Sequence, residues 1–258
     1  MYTTHHLFDL DFISAPNHSV FLNDIMDYPT HPEYSNKLPL LITPNADQLV
    51  KMNEATQQRL KKQLSQALFI LPDGQPMIWF SRLVKKPLQA RLTGSDLFPQ
   101  FWEQVKQRNE RILVIVSEEE VGRKLQETYE NTTYYVPPFF DLASDSFNDV
   151  CQTVTEKIKQ WQPRYVFVGI SFPKQEEVSL AVHQALANQQ IASPLFLCLG
   201  ASAEFYVGLK KRAPLFFQKW GLEWLYRLIQ EPKRMWRRYI LGSGRLLVLF
   251  IKEYRKHS

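Results

Sequence analysis

The sequence predicts an α/β fold: a Rossmann-like, mostly parallel sheet flanked by helices, with a basic amphipathic helical appendage at the C-terminus. Two observations predict the sheet, because short apolar runs alternate with segments of helical periodicity and most of those runs are almost uninterrupted. Such runs are typical of parallel strands, which are buried on both faces. The appendage is predicted because the last quarter of the chain breaks this rhythm and concentrates arginines, lysines and aromatics.

The predicted elements alternate along the first three quarters of the chain. Strands are predicted at residues 38–42, 67–71, 111–116, 165–170 and 195–199. Helices are predicted at residues 46–64, 94–109, 118–129, 146–161 and 174–188. Repeated alternation of strand and helix is the pattern of a parallel sheet with helical crossovers.

Two amphipathic helices are predicted after the sheet. Pro232 ends the first helix and suits the first position of the second. The apolar residues of the first helix share one face: Leu222, Leu225, Tyr226 and Ile229. Three arginines of the second helix share a face: Arg234, Arg237 and Arg238. We therefore predict a catalytic core at residues 1–210 and, at residues 211–258, an appendage that docks on the core or on a membrane.

Basic charge is concentrated at the C-terminus. Residues 233–258 contain eight basic residues and one acid, a net charge of +7, whereas the whole chain carries +5. Residues 1–232 therefore sum to −2. A local patch of this kind predicts a phosphate-rich partner: a membrane surface, a nucleic acid or a phosphorylated substrate.

The remaining composition predicts a cytoplasmic protein. Cys151 and Cys198 are far apart in or beside apolar stretches, which is typical of buried thiols in a reducing compartment. The N-terminus lacks the basic and apolar regions of a secretory signal. The longest apolar run of the tail, residues 246–251, is far shorter than the ~20 residues that cross a bilayer. We expect contact with a membrane without a crossing.

Three loops are predicted at the carboxyl ends of strands, where open parallel sheets bind ligands. The first contains Thr43 and Asn45, for which composition alone favours helix capping over ligand binding. The second contains Asp73 beside a glycine. Composition alone favours a turn aspartate, but a carboxylate at the end of a strand can also act as a general base. In the third, a helix begins at Pro173 or Lys174, and its free N–H groups, its dipole and Lys174 would suit a phosphate. An ordinary helix start explains the proline and Glu176 equally well.

Other chemistries have weaker support in the sequence. Asp9 and Asp11 have the spacing of a DxD metal site, but they lie in a strand-like stretch before the first core strand. The histidines do not group at zinc spacing. The sequence contains no dinucleotide-binding or ATP-binding glycine motif and no Gly-x-Ser-x-Gly nucleophile motif. We therefore predict no metal and no cofactor.

Five stretches occur in an order that is specific as a set. They are LITPNADQLVKM (41–52), LPDGQPMIWFSRLV (71–84), ARLTGSDLF (90–98), VFVGISFPKQEE (166–177) and KRAPLFFQKWGLEWLYRLIQEPKRMWRRY (211–239). Together they resemble the WecG/TagA/CpsF family of bacterial glycosyltransferases (glycosyltransferase family 26). The resemblance covers roughly residues 38–241.

The resemblance implies a metal-independent, inverting transfer of a sugar from a UDP-sugar to a polyprenyl-diphosphate-linked saccharide. It implies a peripheral protein on the inner face of the bacterial plasma membrane, acting in capsule, teichoic-acid, common-antigen or exopolysaccharide synthesis. The implied partners are the UDP-sugar donor, the lipid-linked acceptor and the anionic membrane surface. Nucleic acid is not expected, and an assembly of identical copies is left open.

The resemblance also implies roles for individual residues. Asp73 would deprotonate the acceptor hydroxyl, with Thr43 and Asn45 beside it to position sugar or acceptor. Arg91 would contact the acceptor or its diphosphate, and Gln175 would line the donor pocket. Three appendage arginines would stabilise the departing UDP diphosphate: Arg227, Arg234 and Arg237. Without a metal, charge on the leaving group needs guanidinium groups, whose planar forks match phosphate oxygens.

The sequence departs from the family pattern in loops around the donor pocket. Pro76 stands where the family has the second glycine of Asp-Gly-x-Gly, and residues 199–204 replace a Gly-x-Gly-Gly-x-x-Asp stretch. The family has a glycine before its Ser-Pro-Lys-Gln-Glu motif. That glycine is not in register in this chain, where Ser171 and Phe172 precede Pro173. These changes bear on the identity of the sugar more than on the reaction class.

The basic tail carries two interpretations. In the leading one its last part lies against the membrane: Arg245, Lys252, Arg255, Lys256 and the 246–251 run. The alternative is a non-catalytic module that binds nucleic acid or a membrane, because arginines and aromatics interleave there. The acidic remainder of the chain and the lack of a nucleic-acid-binding motif count against nucleic acid. An inactive family member is a third interpretation, against which Asp73 and the three appendage arginines argue.

Overall fold

The computed structural model describes residues 2–29, 37–214, 216–217, 223–230 and 232–257, and the side chains of residues 224, 227, 230, 233–243 and 257 lie outside that description. The strands are β1 (Thr3–Leu7), β2 (Leu10–Ser14), β3 (Leu38–Ile42), β4 (Ala67–Ile70), β5 (Ile112–Val116), β6 (Thr132–Tyr135), β7 (Tyr165–Gly169) and β8 (Leu195–Cys198). The helices are α1 (Ser19–Met26), α2 (Ala46–Met52), α3 (Gln58–Leu64), α4 (Gln75–Leu83), α5 (Gly94–Gln107), α6 (Glu119–Thr128), α7 (Asp145–Trp161), α8 (Lys174–Asn188), α9 (Ser202–Tyr206), α10 (Glu223–Gln230) and α11 (Pro232–His257).

A six-stranded parallel sheet forms the centre of the described chain, in the order β4-β3-β8-β7-β5-β6. Alternate residues of a strand enter two apolar clusters, as a strand period of two requires. In β7, for example, Val166 and Val168 join the cluster under α2, α3, α4, α7 and α8. Tyr165 and Phe167 join the opposite cluster, under α1, α5, α6 and α9. The predicted Rossmann-like α/β fold is confirmed.

The five predicted strands agree with the structure to within one residue at each end. The continuous apolar runs found them because both faces of the sheet are covered. The sequence analysis missed β6 (Thr132–Tyr135), which lies at the sheet edge and is only partly buried beyond Thr132. It also missed α4 and the antiparallel pairing of β1 with β2.

The single helix predicted at residues 46–64 is wrong, because the structure has α2, a short 3-10 turn at Ala55–Gln57, and α3. Asn53 interrupts the helix. Its side-chain amide donates to the Leu49 carbonyl at 2.8 Å, and its oxygen accepts from the Lys61 ammonium at 2.8 Å. Asparagine side chains compete with backbone hydrogen bonds in this way and favour helix ends.

The end of α11 packs on the core with one face, whereas the sequence analysis places this last part of the tail against a membrane. The Phe250 ring stacks on Phe80 of α4 with ring centroids 4.3 Å apart. The carboxylate of Glu253, 2% exposed, accepts the Phe8 N–H at 2.7 Å. Two of the tail cations that were predicted to lie against the membrane form ion pairs with the core: Arg245 with Glu54, and Lys256 with Asp9. The division into a core at residues 1–210 and an appendage at residues 211–258 stays a prediction.

Among the described residues, no helix combines the length and the apolar character that crossing a membrane requires.

Candidate active site

The carboxyl ends of β3 and β4 lie side by side and bring two of the predicted loops together. The strands pair in parallel up to their last residues. Beyond the strands the two loops stay in contact, since the Asp73 N–H donates to the Pro44 carbonyl at 3.4 Å. The structure therefore places Asp73 beside the loop that contains Thr43 and Asn45, as the resemblance implied.

Asn45 caps α2, as its composition favoured. Its side-chain oxygen accepts the Gln48 N–H at 3.1 Å, and the Gln48 side chain accepts the Asn45 N–H at 2.9 Å. This reciprocal capping box satisfies two N–H groups that a helix start leaves open. Thr43 directly follows β3 and is 9% exposed. Contacts of Thr43 and Asn45 with a sugar or an acceptor stay predictions.

Arg91 reaches the site through the segment between α4 and α5. The Leu92 N–H donates to the Pro72 carbonyl at 2.8 Å, which holds this segment against the loop of Asp73. The Arg91 guanidinium donates to a carboxylate oxygen of Glu223, the first residue of α10, at 2.7 Å. Arg91 is therefore ion-paired with the appendage, and its contact with the acceptor stays a prediction.

Arg212 is a site residue that the sequence analysis did not assign. It pairs with Asp96 at 2.6 Å and approaches Glu223 at 3.5 Å. Burial lowers the pKa of Arg212, but the bond to Asp96 and the charges of Asp96, Glu223 and Asp73 outweigh burial and raise the pKa above its usual value. Arg212 therefore interacts electrostatically with Asp73. The available signal was its place in the Arg-Ala-Pro block of the resemblance.

Gln175 links two loops at the ends of β7 and β8. It is 1% exposed, its oxygen accepts the Gly200 N–H at 3.1 Å, and its amide donates to Glu176 at 2.8 Å. The bond from Gly200 fixes which end of the amide faces Glu176, because an N–H cannot donate to an N–H. The side chain that was predicted to line the donor pocket therefore holds the β8–α9 loop in place.

Lys174 is engaged by neighbouring aromatic residues at the start of α8. Its ammonium donates to the Phe140 carbonyl at 2.6 Å and lies 4.7 Å from the Phe139 ring centroid and 4.4 Å from that of Phe140. The Lys174 ammonium, which the sequence analysis predicted to suit a phosphate, therefore already interacts with two aromatic rings and a carbonyl. The preceding Ser171 has a left-handed φ of 73°, a conformation that favours glycine.

The departures from the family pattern have structural explanations. Gly74 has φ 138°, which requires glycine, whereas Pro76 lies in the first turn of α4, where proline is tolerated. Ser202 donates to the Leu199 carbonyl at 2.6 Å and packs so closely on Gly94 of α5 that a Cβ there would lie 2.9 Å from its oxygen. These residues therefore fit the loops that surround the site.

Asp9 and Asp11 form ion pairs with nearby cations. Asp9 lies in the turn between β1 and β2 and pairs with Lys61 and Lys256. Burial alone would raise the pKa of Asp9, but its bonds to the two lysines lower it to about 2. Asp11 pairs with His6 at 2.8 Å. These partners account for both carboxylates of the DxD motif, and no group of potential metal ligands was found among the residues that the structure describes.

The three appendage arginines fall on described helices, with their side chains outside the described part. Arg227 lies in α10, and Arg234 and Arg237 lie in the first turns of α11. Their contacts with the diphosphate stay predictions.

Replacement of Glu176 by glutamine should change how stability depends on pH. Burial raises the pKa of Glu176 from 4.5 to about 7, so between these values the unfolded chain releases a proton that the folded protein keeps. Wild-type stability therefore falls as the pH rises through this window, and Glu176→Gln removes that loss, worth about 3 kcal/mol at pH 8 at 1.36 kcal/mol per pKa unit. Urea unfolding from pH 5 to 8 measures the difference.

The buried, non-titrating Ser179 gives the control for this pH dependence. Its hydroxyl donates to the Gln175 carbonyl at 2.7 Å, one turn from Glu176. Ser179→Ala should shift the free energy of unfolding by the same amount at each pH. A Glu176→Gln curve parallel to the wild-type curve would contradict an elevated pKa.

The chain matches known proteins over most of its length. The family model described as Glycosyl transferase WecG/TagA/CpsF family matches residues 13–258. A relative from Bacillus spizizenii, named N-acetylglucosaminyldiphosphoundecaprenol N-acetyl-beta-D-mannosaminyltransferase, is 33% identical over 207 residues, 80% of this chain and 76% of the relative. A Staphylococcus aureus protein of the same name is 31% identical over 187 residues, 70% of this chain and 69% of the relative. The chain is therefore a glycosyltransferase that belongs to the WecG/TagA/CpsF family.

Proposed function

We propose that this glycosyltransferase moves a sugar, with inversion, from a UDP-sugar to a polyprenyl-diphosphate-linked saccharide in bacterial surface polysaccharide synthesis. One observation carries the proposal: Asp73 lies at the carboxyl edge of the sheet with polar loops and two arginines, Arg91 and Arg212, around it. A carboxylate at that edge supplies a base, and the arginines supply charge for phosphates. The relatives' names support N-acetylmannosamine as the sugar and N-acetylglucosaminyl-diphospho-undecaprenol as the acceptor.

The proposed reaction is a direct displacement at the anomeric carbon. The acceptor hydroxyl oxygen forms the new bond as the bond to the UDP oxygen breaks, and Asp73 takes the hydroxyl proton. Attack from the face opposite UDP inverts the configuration, so an α-linked donor gives a β-linked product. The relatives' names specify a β-linked sugar.

The leaving UDP needs positive charge when it departs. We propose that arginines supply it and that no metal takes part, with Arg227, Arg234 and Arg237 as the appendage's contribution. Guanidinium groups suit this task because they keep their charge and match two phosphate oxygens at once. Preorganised cations act most strongly where water is excluded.

The outer face of α11 supports a proposal of peripheral binding at the inner face of the plasma membrane. Its inner face is used by Leu249, Phe250 and Glu253, which pack on the core. Its outer face exposes an apolar set with the cations Lys252 and Arg255: Leu247, Val248, Ile251 and Tyr254. An exposed apolar stripe beside basic residues suits an anionic lipid surface.

A panel of UDP-sugars tests the proposed function, with UDP-N-acetylmannosamine as the first donor. The acceptor is a synthetic polyprenyl-diphospho-N-acetylglucosamine, and product is detected by mass spectrometry. We expect a β-linked disaccharide lipid, at a rate that EDTA leaves unchanged. Absence of transfer from every UDP-sugar would refute the donor class, and strong inhibition by EDTA would refute metal independence alone.

Asp73→Asn should reduce kcat by about 10²- to 10⁴-fold, because an amide keeps the shape of the side chain but cannot accept the hydroxyl proton. Thermal unfolding should remain close to wild type. Asp47→Asn makes the same change in the adjacent helix α2, where Asp47 pairs with Lys51, and should leave turnover near normal. Turnover of Asp73→Asn within a few-fold of wild type would remove Asp73 as the base.

The membrane proposal is tested by replacing outer residues of α11 only. Leu247→Ser with Ile251→Ser should weaken sedimentation with phosphatidylglycerol vesicles at least about tenfold, because each buried aliphatic side chain contributes roughly 1.5–3 kcal/mol. Phe139→Ser removes an exposed ring from another part of the surface and should leave vesicle binding unchanged. Equal sedimentation of the α11 variant and wild type would exclude this face as the contact.

A further inference from the structure

A carboxylate joins the appendage to the loops of the candidate site. Glu223 is the first residue of α10, and its side chain is 18% exposed. One of its oxygens accepts from Arg91 at 2.7 Å, and the other lies 3.5 Å from Nε of Arg212. Glu223 therefore bridges two arginines that come from widely separated parts of the chain.

The two arginines are themselves held from the core side. Asp96, at the start of α5, accepts from Arg212 at 2.6 Å and from the Thr93 hydroxyl at 2.7 Å. The pKa of Asp96 lies below its usual value, since its bonds to Arg212 and Thr93 outweigh the opposing effect of burial. The segment of Arg91 is fixed by its backbone bond to the Asp73 loop. Glu223 thus binds a preorganised pair of cations.

Arg91 loses its described counter-charge if Glu223 is removed. Glu223 pairs with Arg91, whereas Arg212 also has Asp96 as a partner and lies within the influence of the Asp73 charge. The Arg91 side chain is only 15% exposed. Removal of one partner from a poorly solvated ion pair costs more than the pair contributes, because the remaining charge lacks both water and a counter-charge.

The position of Glu223 on its helix connects this contact to the site. Residues four apart share one face of an α-helix, so the contact of Glu223 sets which face of α10 is turned toward Arg91. An anchor at the first residue of α10 sets the direction in which that face points.

We propose that Glu223 is a positioning residue: by bridging Arg91 and Arg212, its carboxylate fixes the first turn of α10 against the loop of Asp73. Glu223 takes no part in proton transfer and acts through the two arginines. The kinetic consequence rests on the proposed function, whereas the docking of α10 does not.

Hydrogen exchange of the full-length protein without substrate tests the docking. In Glu223→Ala, the amides of residues 227–230, which are the ones the helix itself protects, should exchange roughly ten- to a hundredfold faster than in wild type, as expected for loss of a poorly solvated ion pair. The amides of β3 and β4 should be unchanged. Ile229→Ala, a change at an exposed position of the same helix, should leave exchange near wild type. Unchanged protection of α10 in Glu223→Ala would overturn the proposal.

A double-mutant cycle separates positioning from a general loss of stability. If Glu223 acts through Arg91, exchange of α10 in Glu223→Gln with Arg91→Gln should be no faster than in the more affected single variant. Additive effects would mean that Glu223 acts elsewhere and would overturn the proposal.

Kinetics and ligand binding give the last arm. In Glu223→Ala, kcat should fall at least tenfold while the KM for the UDP-sugar changes little. Tighter binding of UDP or faster turnover would show that Glu223 blocks the arginines, and would overturn the positioning role. If wild type itself transfers no sugar, the proposed function fails, and hydrogen exchange still decides whether Glu223 docks α10.

Discussion

The arrangement of the site depends on the parallel pairing of β3 with two neighbours. Ile42, the last residue of β3, is in register with Ile70 of β4 on one side and with Cys198 of β8 on the other. Three loops therefore leave the sheet at one level. Parallel strands impose this geometry because all their carboxyl ends point the same way. This register determines where Asp73 and the loop of Gly200 lie, and hydrogen bonds around the loops hold them there.

Those contacts are partly buried hydrogen bonds within and between the loops, and some are made by residues predicted to touch substrate. Asn45 caps a helix, and Gln175 holds the Gly200 loop. A residue that fixes a loop sets the positions of its neighbours. Polar groups at a site must satisfy each other before a ligand arrives, because unpaired buried groups cost roughly 1–3 kcal/mol each.

The sequence was sufficient for the elements whose pattern reflects burial, and insufficient where side chains decide. The apolar runs predicted each core strand except β6, which is only partly covered. Asn53 divided a predicted helix through bonds to Leu49 and Lys61 that no periodicity reveals. The resemblance implied that Thr43 and Asn45 lie beside Asp73, and the structure brings these two loops together. It could not show that Arg91 meets Glu223, since that contact joins residues 132 positions apart. Counting charge drew attention to the basic residues of the tail, whereas two acids, Glu223 and Glu253, make described contacts with the core.

The bond between Glu253 and the Phe8 N–H has a consequence for the way the protein is made. It joins residues 245 positions apart, and the nearby pair of Lys256 with Asp9 spans 247. Domains fold as units while the N-terminal part emerges first, and contacts of large sequence separation form late. The hairpin of β1 and β2 therefore lacks these contacts, and the Phe8 N–H lacks the Glu253 carboxylate, until residues 250–256 have left the ribosome. The last contacts of the core thereby depend on the synthesis of residues 250–256, and a chain interrupted before them leaves Phe8 without its contacts to Phe250 and Glu253.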